Sequence, residues 1–130
     1  DMSIFTKIVL GEIPSYKIAE DENYLAFLDI NPNVKGHTLV IPKKEVNKLF
    51  DLDKELYLEL MDFSYRVAKA IEKTVPCKRI GMSVIGLEVS HVHVHLIPIN
   101  KKNDMRFEEK EKLSDDEFVV LAKEISRNFI

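Results

Sequence analysis

Residues 90–99 read SHVHVHLIPI, which sets three of the four histidines of the chain, His91, His93 and His95, at alternate positions with Val92, Val94 and Leu96 between and after them. In a strand successive side chains point to opposite faces, so this pattern predicts three imidazoles on one face and an apolar row on the other. Core packing alone accounts poorly for such a face, because each ring carries a donor and an acceptor that are costly to bury without partners. Two functional readings remain. A metal ion could take His91 and His93, with Glu88 or His37 completing the set. A third ligand at i+4 stands ~13 Å from the first and is too far to share one ion comfortably. Alternatively, a neutral imidazole attacks an electrophilic centre such as phosphorus, while its neighbours orient it, bind phosphate oxygens and deliver a proton to the leaving group. His37, in GHTLVIP (36–42), opens another predicted strand and could reach the same face.

Working outward, Ile4, Phe5, Ile8 and Val9 recur at helical spacing behind Ser3 as a cap, with Gly11 and Pro14 closing a short first helix. YKIAED (16–21), NYLAFLDI (23–30) and HTLVIPK (37–43) are short, rich in large apolar and β-branched residues, and separated by turn formers; they read as strands. From Asp53 to about Val75 the period returns to three or four, through Leu56, Leu60, Phe63, Val67, Ala70 and Ile71, with Asp53 as cap and Pro76 as stop. RIGMSVIG (79–86) and SHVHVHLIPI supply two more strands. Residues 100–113 are a charged connector, expected to be mobile, leading to a last helix over 114–128 with Phe118, Leu121, Ala122 and Ile125 on one face. No repeat or linker divides the chain, so residues 1–130 are expected to form one domain. Strands clustered between helices without strict alternation predict an α+β fold, an antiparallel sheet of about five strands packed by one long helix.

Charge and composition narrow the partners. With 22 acidic against 19 basic residues the net charge is -3, and no basic stripe carries interleaved aromatics, so no nucleic-acid partner is expected. No apolar run approaches the ~20 residues of a membrane span, and the first residues lack the basic-then-apolar pattern of a signal peptide. The one cysteine, Cys77, has no partner for an internal disulfide and reads as structural; a cytoplasmic setting is expected.

The run His91-Val92-His93-Val94-His95-Leu96-Ile97-Pro98, together with FLDINP (27–32), GHTLVIPKK (36–44) and the whole of residues 3–46, resembles the histidine-triad family. The resemblance covers roughly the first hundred residues. It implies an α+β fold joined across a two-fold homodimer, a purine nucleotide-type substrate, no cofactor, and cleavage at the α-phosphorus of a nucleoside phosphoramidate or dinucleoside polyphosphate through a nucleotidyl-histidine intermediate. Carried over by position, His93 is the nucleophile, His91 and His95 position it and contact phosphate, and His37 supports them. Asp29 accepts hydrogen bonds from the ribose, and Ile4, Phe5, Ile8, Phe27 and Ile30 enclose the base. Two departures matter. Zinc-binding branches of the family carry cysteines and a histidine where this chain has Ser3, Thr6 and Glu45, so no metal is expected. The loop before the row is about three residues short, with Ile85 near an asparagine position, and Glu88, where a hydroxyl is usual, and Val89 left to complete the nucleotide site. A nucleotide-binding regulator that keeps the pocket without efficient chemistry is the alternative that this loop suggests.

Overall fold

The computed structural model describes residues 1–130. In chain order it runs α1 (Ile4–Val9), β1 (Lys17–Glu20), β2 (Tyr24–Leu28), β3 (Thr38–Pro42), α2 (Lys54–Thr74), β4 (Arg79–Ser83), β5 (Val94–Ile99) and α3 (Asp115–Arg127). The five strands form one antiparallel sheet in the order β1-β2-β3-β5-β4, which leaves β4 at an edge. No helix is long and apolar enough to cross a membrane.

Both faces of the central strands are covered, and their alternation shows which side chain faces what. Tyr24, Ala26, Leu28, Val40, Val94 and Leu96 pack with Leu60, Phe63, Val67, Ala70 and Ile71 of α2 and with Phe118, Leu121, Ala122 and Ile125 of α3. Leu25, Phe27, Leu39 and Ile41 point the other way, onto Phe5 and Ile8 of α1. Because both faces are dry, β2 and β3 read as unbroken apolar runs. Register then carries His95 to the α1 face: it lies opposite Leu39, which lies opposite Phe27.

Three local expectations change. The strand predicted over SHVHVHLIPI begins only at Val94, so His91 and His93 precede the ladder. β3 stops at Pro42, whose residue type has no N–H to donate, and Val40↔Val94 is the last pair. Alternation nevertheless continues, since Val92 N–H donates to Val46 O at 2.8 Å and its side chain joins the helix-side core. Asp53 occupies the N-cap of α2 but its carboxylate makes no capping bond. The connector, expected to be loose, is tied down: it forms a 3₁₀ turn at Lys102–Met105, and the buried Asp104 carboxylate accepts from the amides of Asn100 and Lys101 at 2.8 and 3.2 Å. Glu111 N–H donates to Pro32 O at 2.9 Å. Met105 seats over Gly81, where a Cβ would lie 2.7 Å from its sulfur.

Gly81→Val is therefore expected to expel Met105 at a cost of about 1–3 kcal/mol, the usual penalty of overpacking. Trypsin, which cleaves after the connector's Lys101, Lys102, Arg106 and Lys110, should cut the variant much faster than the wild type under native conditions. Equal cleavage rates would show that Met105 does not hold the connector.

Candidate active site

All four histidines meet on the α1 side of the sheet, and partners that can only donate or only accept fix the proton on each ring. His91 Nε2 faces Pro42 O at 2.8 Å; a carbonyl only accepts, so Nε2 carries the proton and Nδ1 accepts from the Ser3 hydroxyl at 2.6 Å. His93 Nδ1 faces His91 O at 2.7 Å, so here Nδ1 carries the proton and Nε2 is left as a bare lone pair. His37 Nδ1 accepts from the backbone N–H of Asn33 at 2.9 Å, which puts its proton on Nε2; that proton is donated to His95 Nδ1 at 2.9 Å. His95 in turn must hold its own proton on Nε2. Three rings thus carry Nε2–H, and only His93 presents an unprotonated Nε2.

Burial keeps three of the rings, His37, His91 and His95, neutral. Desolvation, helped by neighbouring positive charge, lowers the pKa of His37 to about 3 and that of His95 to about 4. The His91 ring is also pushed below its ordinary value, chiefly by burial. His91 and His37 are sealed, whereas His93 and His95 each keep 8% of their surface, and neither free Nε2 is among the sealed unpartnered polar atoms of the chain. Phe5 lies edge-on to His93 with ring centroids 5.0 Å apart, and Phe107 lies edge-on to His95 at 4.8 Å.

The expected site residues divide accordingly. His93 and His95 point reactive nitrogens outward. His91 does not: both its nitrogens are spent on Pro42 and Ser3, so the expectation that it contacts phosphate is corrected. His37 supports His95 as a buried donor. Asp29 follows β2, with Oδ1 accepting from Asn31 N–H at 2.8 Å and Oδ2 3.5 Å from His37 Nε2; burial raises its pKa, and its side chain is 18% exposed. Phe5, Ile8 and Phe27 are buried in the α1-side layer, while Ile4 and Ile30 stand exposed. Glu88 is exposed and Val89 half-buried; they line a surface hollow with Ser3, Ile4, Glu45 and Ser90, at the His91 end of the row.

His91, one of the pair that an ion could have taken, has both nitrogens bonded, and neither of the two clusters that bring ligand atoms together suits an ion. Asp29, His37 and His95 bring ligand atoms within 4.8 Å of one another. However, the proton that Asn33 forces onto His37 Nε2 removes the lone pair an ion would need. The 2.9 Å between the two ring nitrogens is also shorter than the ~3.3 Å separating two ligands that each sit ~2 Å from a tetrahedral zinc. Ser3, Thr6, Glu45 and His91 offer two hydroxyls, a carboxylate and an imidazole already bonded to each other at 2.6–2.7 Å, with no thiolate.

Sequence reasoning missed the residues that approach from the turn and the connector. Asn33 read as a turn residue, yet its backbone sets the His37 tautomer while its side chain binds Asp104 O at 3.0 Å and accepts from Lys110 Nζ at 2.8 Å. Phe107, the one aromatic in a charged stretch, was the only available signal for the connector's role.

A bare imidazole nitrogen beside a proton-bearing one, at the edge of an apolar layer on an antiparallel sheet, defines a protein organised for chemistry by a row of histidines. The family model described as HIT domain matches residues 10–102, and the chain belongs to that family. It is 44% identical over 107 residues to an uncharacterized HIT-like protein of Methanocaldococcus jannaschii, covering 75% of this chain and 78% of that one. It is 43% identical over 96 residues to adenosine 5'-monophosphoramidase HNT1 of Saccharomyces cerevisiae, covering 73% of this chain and 61% of that one. Among solved structures, a Hit-like protein involved in cell-cycle regulation from Bartonella henselae superimposes with a TM-score of 0.85 at 32% identity, covering 98% of this chain and 96% of that one.

Proposed function

We propose that the chain hydrolyses or transfers the nucleoside monophosphate group of a nucleoside phosphoramidate or dinucleoside polyphosphate, through a covalent intermediate on His93. The observation that carries this reading is the tautomer assignment: of four clustered histidines, His93 alone offers an Nε2 lone pair. In the first step His93 Nε2 bonds to the α-phosphorus as the bond from phosphorus to the leaving group breaks. The neutral His95 ring donates its Nε2–H as a hydrogen bond to a phosphoryl oxygen and keeps that proton; a departing amine takes its proton from bulk water, and a departing phosphate leaves as an anion. Water then cleaves the phosphorus–nitrogen bond and frees His93. Asp29 receives the ribose hydroxyls, and the base lies over Phe5, Ile8 and Phe27 between the exposed Ile4 and Ile30. His91 serves through its carbonyl, which holds the His93 Nδ1 proton.

The homodimer fits the same reading. β4 is an open edge, and Met82, Ile85 and Leu87 on it and just after it are 48%, 52% and 90% exposed. A second copy would cover them. The cytoplasm, which keeps Cys77 reduced, is the setting that suits it.

The test is to mix the protein with adenosine phosphoramidate, or with a dinucleoside polyphosphate, quench in base and weigh the intact chain. One added adenylyl group, removed on longer incubation, is the expected result. Nucleoside monophosphate binding by calorimetry with neither adduct nor turnover would instead identify a nucleotide-binding regulator.

A further inference from the structure

His91 sits in the row without facing it. Its ring is fully buried, its Nε2–H is donated to Pro42 O, and its Nδ1 is occupied by the Ser3 hydroxyl. Behind the ring lies a network with no slack. Ser3 Oγ accepts from Thr6 N–H at 3.0 Å and gives its one proton to His91 Nδ1, the nearer of two acceptors at 2.6 Å against 3.3 Å to Thr6 Oγ1. Both residues of α1's first turn are then gripped by a single carboxylate oxygen from beyond β3: Glu45 Oε1 accepts from the Ser3 amide at 2.7 Å and from the Thr6 hydroxyl at 2.6 Å. Thr6 Oγ1 lies 3.5 Å from His91 Nδ1 and 3.3 Å from Ser3 Oγ, so a Thr6 proton released from Glu45 would compete for the acceptors around His91. The Thr6 hydroxyl and Ser3 amide hold the carboxyl's pKa down to about 2, which keeps Glu45 an anionic acceptor at neutral pH.

This matters because the nucleophile's tautomer depends on main chain that the sheet does not hold. His93 Nδ1–H is donated to His91 O, yet the β5 ladder begins only at Val94. Besides the burial of Val92 and the packing of Phe5 on the His91 and His93 rings, the hydrogen bonds that hold residues 91–93 to the rest of the chain are Val92–Val46 and the two bonds of the His91 ring. We infer that Glu45, acting through Ser3 and Thr6 on the His91 ring, is a positioning residue for His93: it locks the carbonyl that keeps the nucleophile's Nε2 unprotonated and aimed outward. The inference rests on the reading of His93 as nucleophile. It makes α1, which carries Ile4, Phe5 and Ile8, and the catalytic segment one unit joined by hydrogen bonds.

The test uses Glu45→Ala, Glu45→Gln, Ser3→Ala and the Ser3→Ala/Glu45→Ala double variant, with kcat and KM measured on adenosine phosphoramidate. Glu45→Ala should lower kcat between about 10- and 100-fold, the scale of a slightly misplaced reacting group, with KM little changed. Glu45→Gln, whose amide oxygen can still accept both protons, should restore most of that loss. Ser3→Ala should match Glu45→Ala, and the double variant should add little to either, because both cut one chain of contacts. Should Glu45→Ala fail to fold, Ser3→Ala carries the same expectation, since it keeps the Ser3 amide and Thr6 bonds to Glu45. An unchanged kcat, a loss confined to KM or melting temperature, or fully additive losses would overturn the inference. Nitrogen NMR of the imidazoles separates it from the proposed function: His93 should be a single Nδ1–H tautomer in the wild type and a mixture in Glu45→Ala, whatever substrates turn over. An unaltered His93 tautomer in that variant overturns the inference even if the wild type proves inactive on every substrate tried.

Discussion

Replacing His93 with alanine should lower kcat by at least about 10⁴-fold and abolish the adenylyl adduct, because the proposed step that forms the phosphorus–nitrogen bond would lose its nucleophile; the scale lies beyond that of an auxiliary acid or base. No other ring can step in. His91 and His37 have no lone pair facing solvent, and His95 presents an Nε2 that bears its proton. Alanine also strips the His91 carbonyl of its donor, at about 1–3 kcal/mol if water does not replace it. His93→Asn controls for that loss: the asparagine amide can donate to the carbonyl but cannot attack phosphorus. Both variants should still bind nucleoside monophosphate, since the contacts proposed for it, Asp29 and the layer of Phe5, Ile8 and Phe27, are not substituted. Turnover by His93→Asn within tenfold of wild type, measured on the same substrate, would remove His93 from the role assigned to it.

The sequence carried the fold because its periods are clean. β2 and β3 are uninterrupted apolar runs, α2 repeats every three or four residues, and α3 opens on a capping box made by Ser114 and Glu117. The alternation of the histidine row also placed its members on the correct face, even though His91 and His93 lie outside the ladder. Which of them can act was not legible. That depends on Pro42 O, Asn33 N–H and His91 O, and backbone groups carry no residue-type signature. The same blindness explains why His91, formally equivalent to His95 in the pattern, was expected at the phosphate. The connector was misjudged for another reason: fourteen largely charged residues look solvated in composition, while their hold on the body rests on Asp104, Met105, Phe107 and Glu111, which no periodicity picks out. The contacts of Ser3, Thr6 and Glu45 lie about forty and ninety residues apart in the chain, and no local rule pairs them.

Acid should unfold this protein earlier than most of its size, because the neutral rings that make the site selective are a stability liability below their ordinary pKa. Unfolded, each histidine titrates near 6.5; folded, His95 does so at about 4 and His37 at about 3, with His91 also lowered. As pH falls below 6.5 the unfolded chain takes up protons that the folded chain refuses. The stability present above pH 6.5 is therefore lost progressively down to the folded values, at roughly 1.4 kcal/mol per pH unit for each ring. His95 alone then accounts for about 3 kcal/mol by pH 4, and His37 for a similar amount over the same span, against a typical total of about 5–15 kcal/mol. Asp29 works the other way, since burial raises its pKa and the folded state takes its proton first. Glu45, Glu20 and Glu117, held low by their hydrogen bonds, add to the loss below the ordinary carboxylate range. Urea midpoints measured in half-unit steps from about pH 7.5 to 4.5 should stay level to about 6.5 and then fall steeply. His37→Leu should start lower, having orphaned the Asn33 amide, but fall less steeply by about one ring's worth per pH unit. A level midpoint from about pH 7 to 5 would mean that these rings charge freely in the folded chain. The relay from Asn33 through His37 to His95 could not then hold a single proton per ring, and the case for His93 as the sole bare nitrogen would go with it.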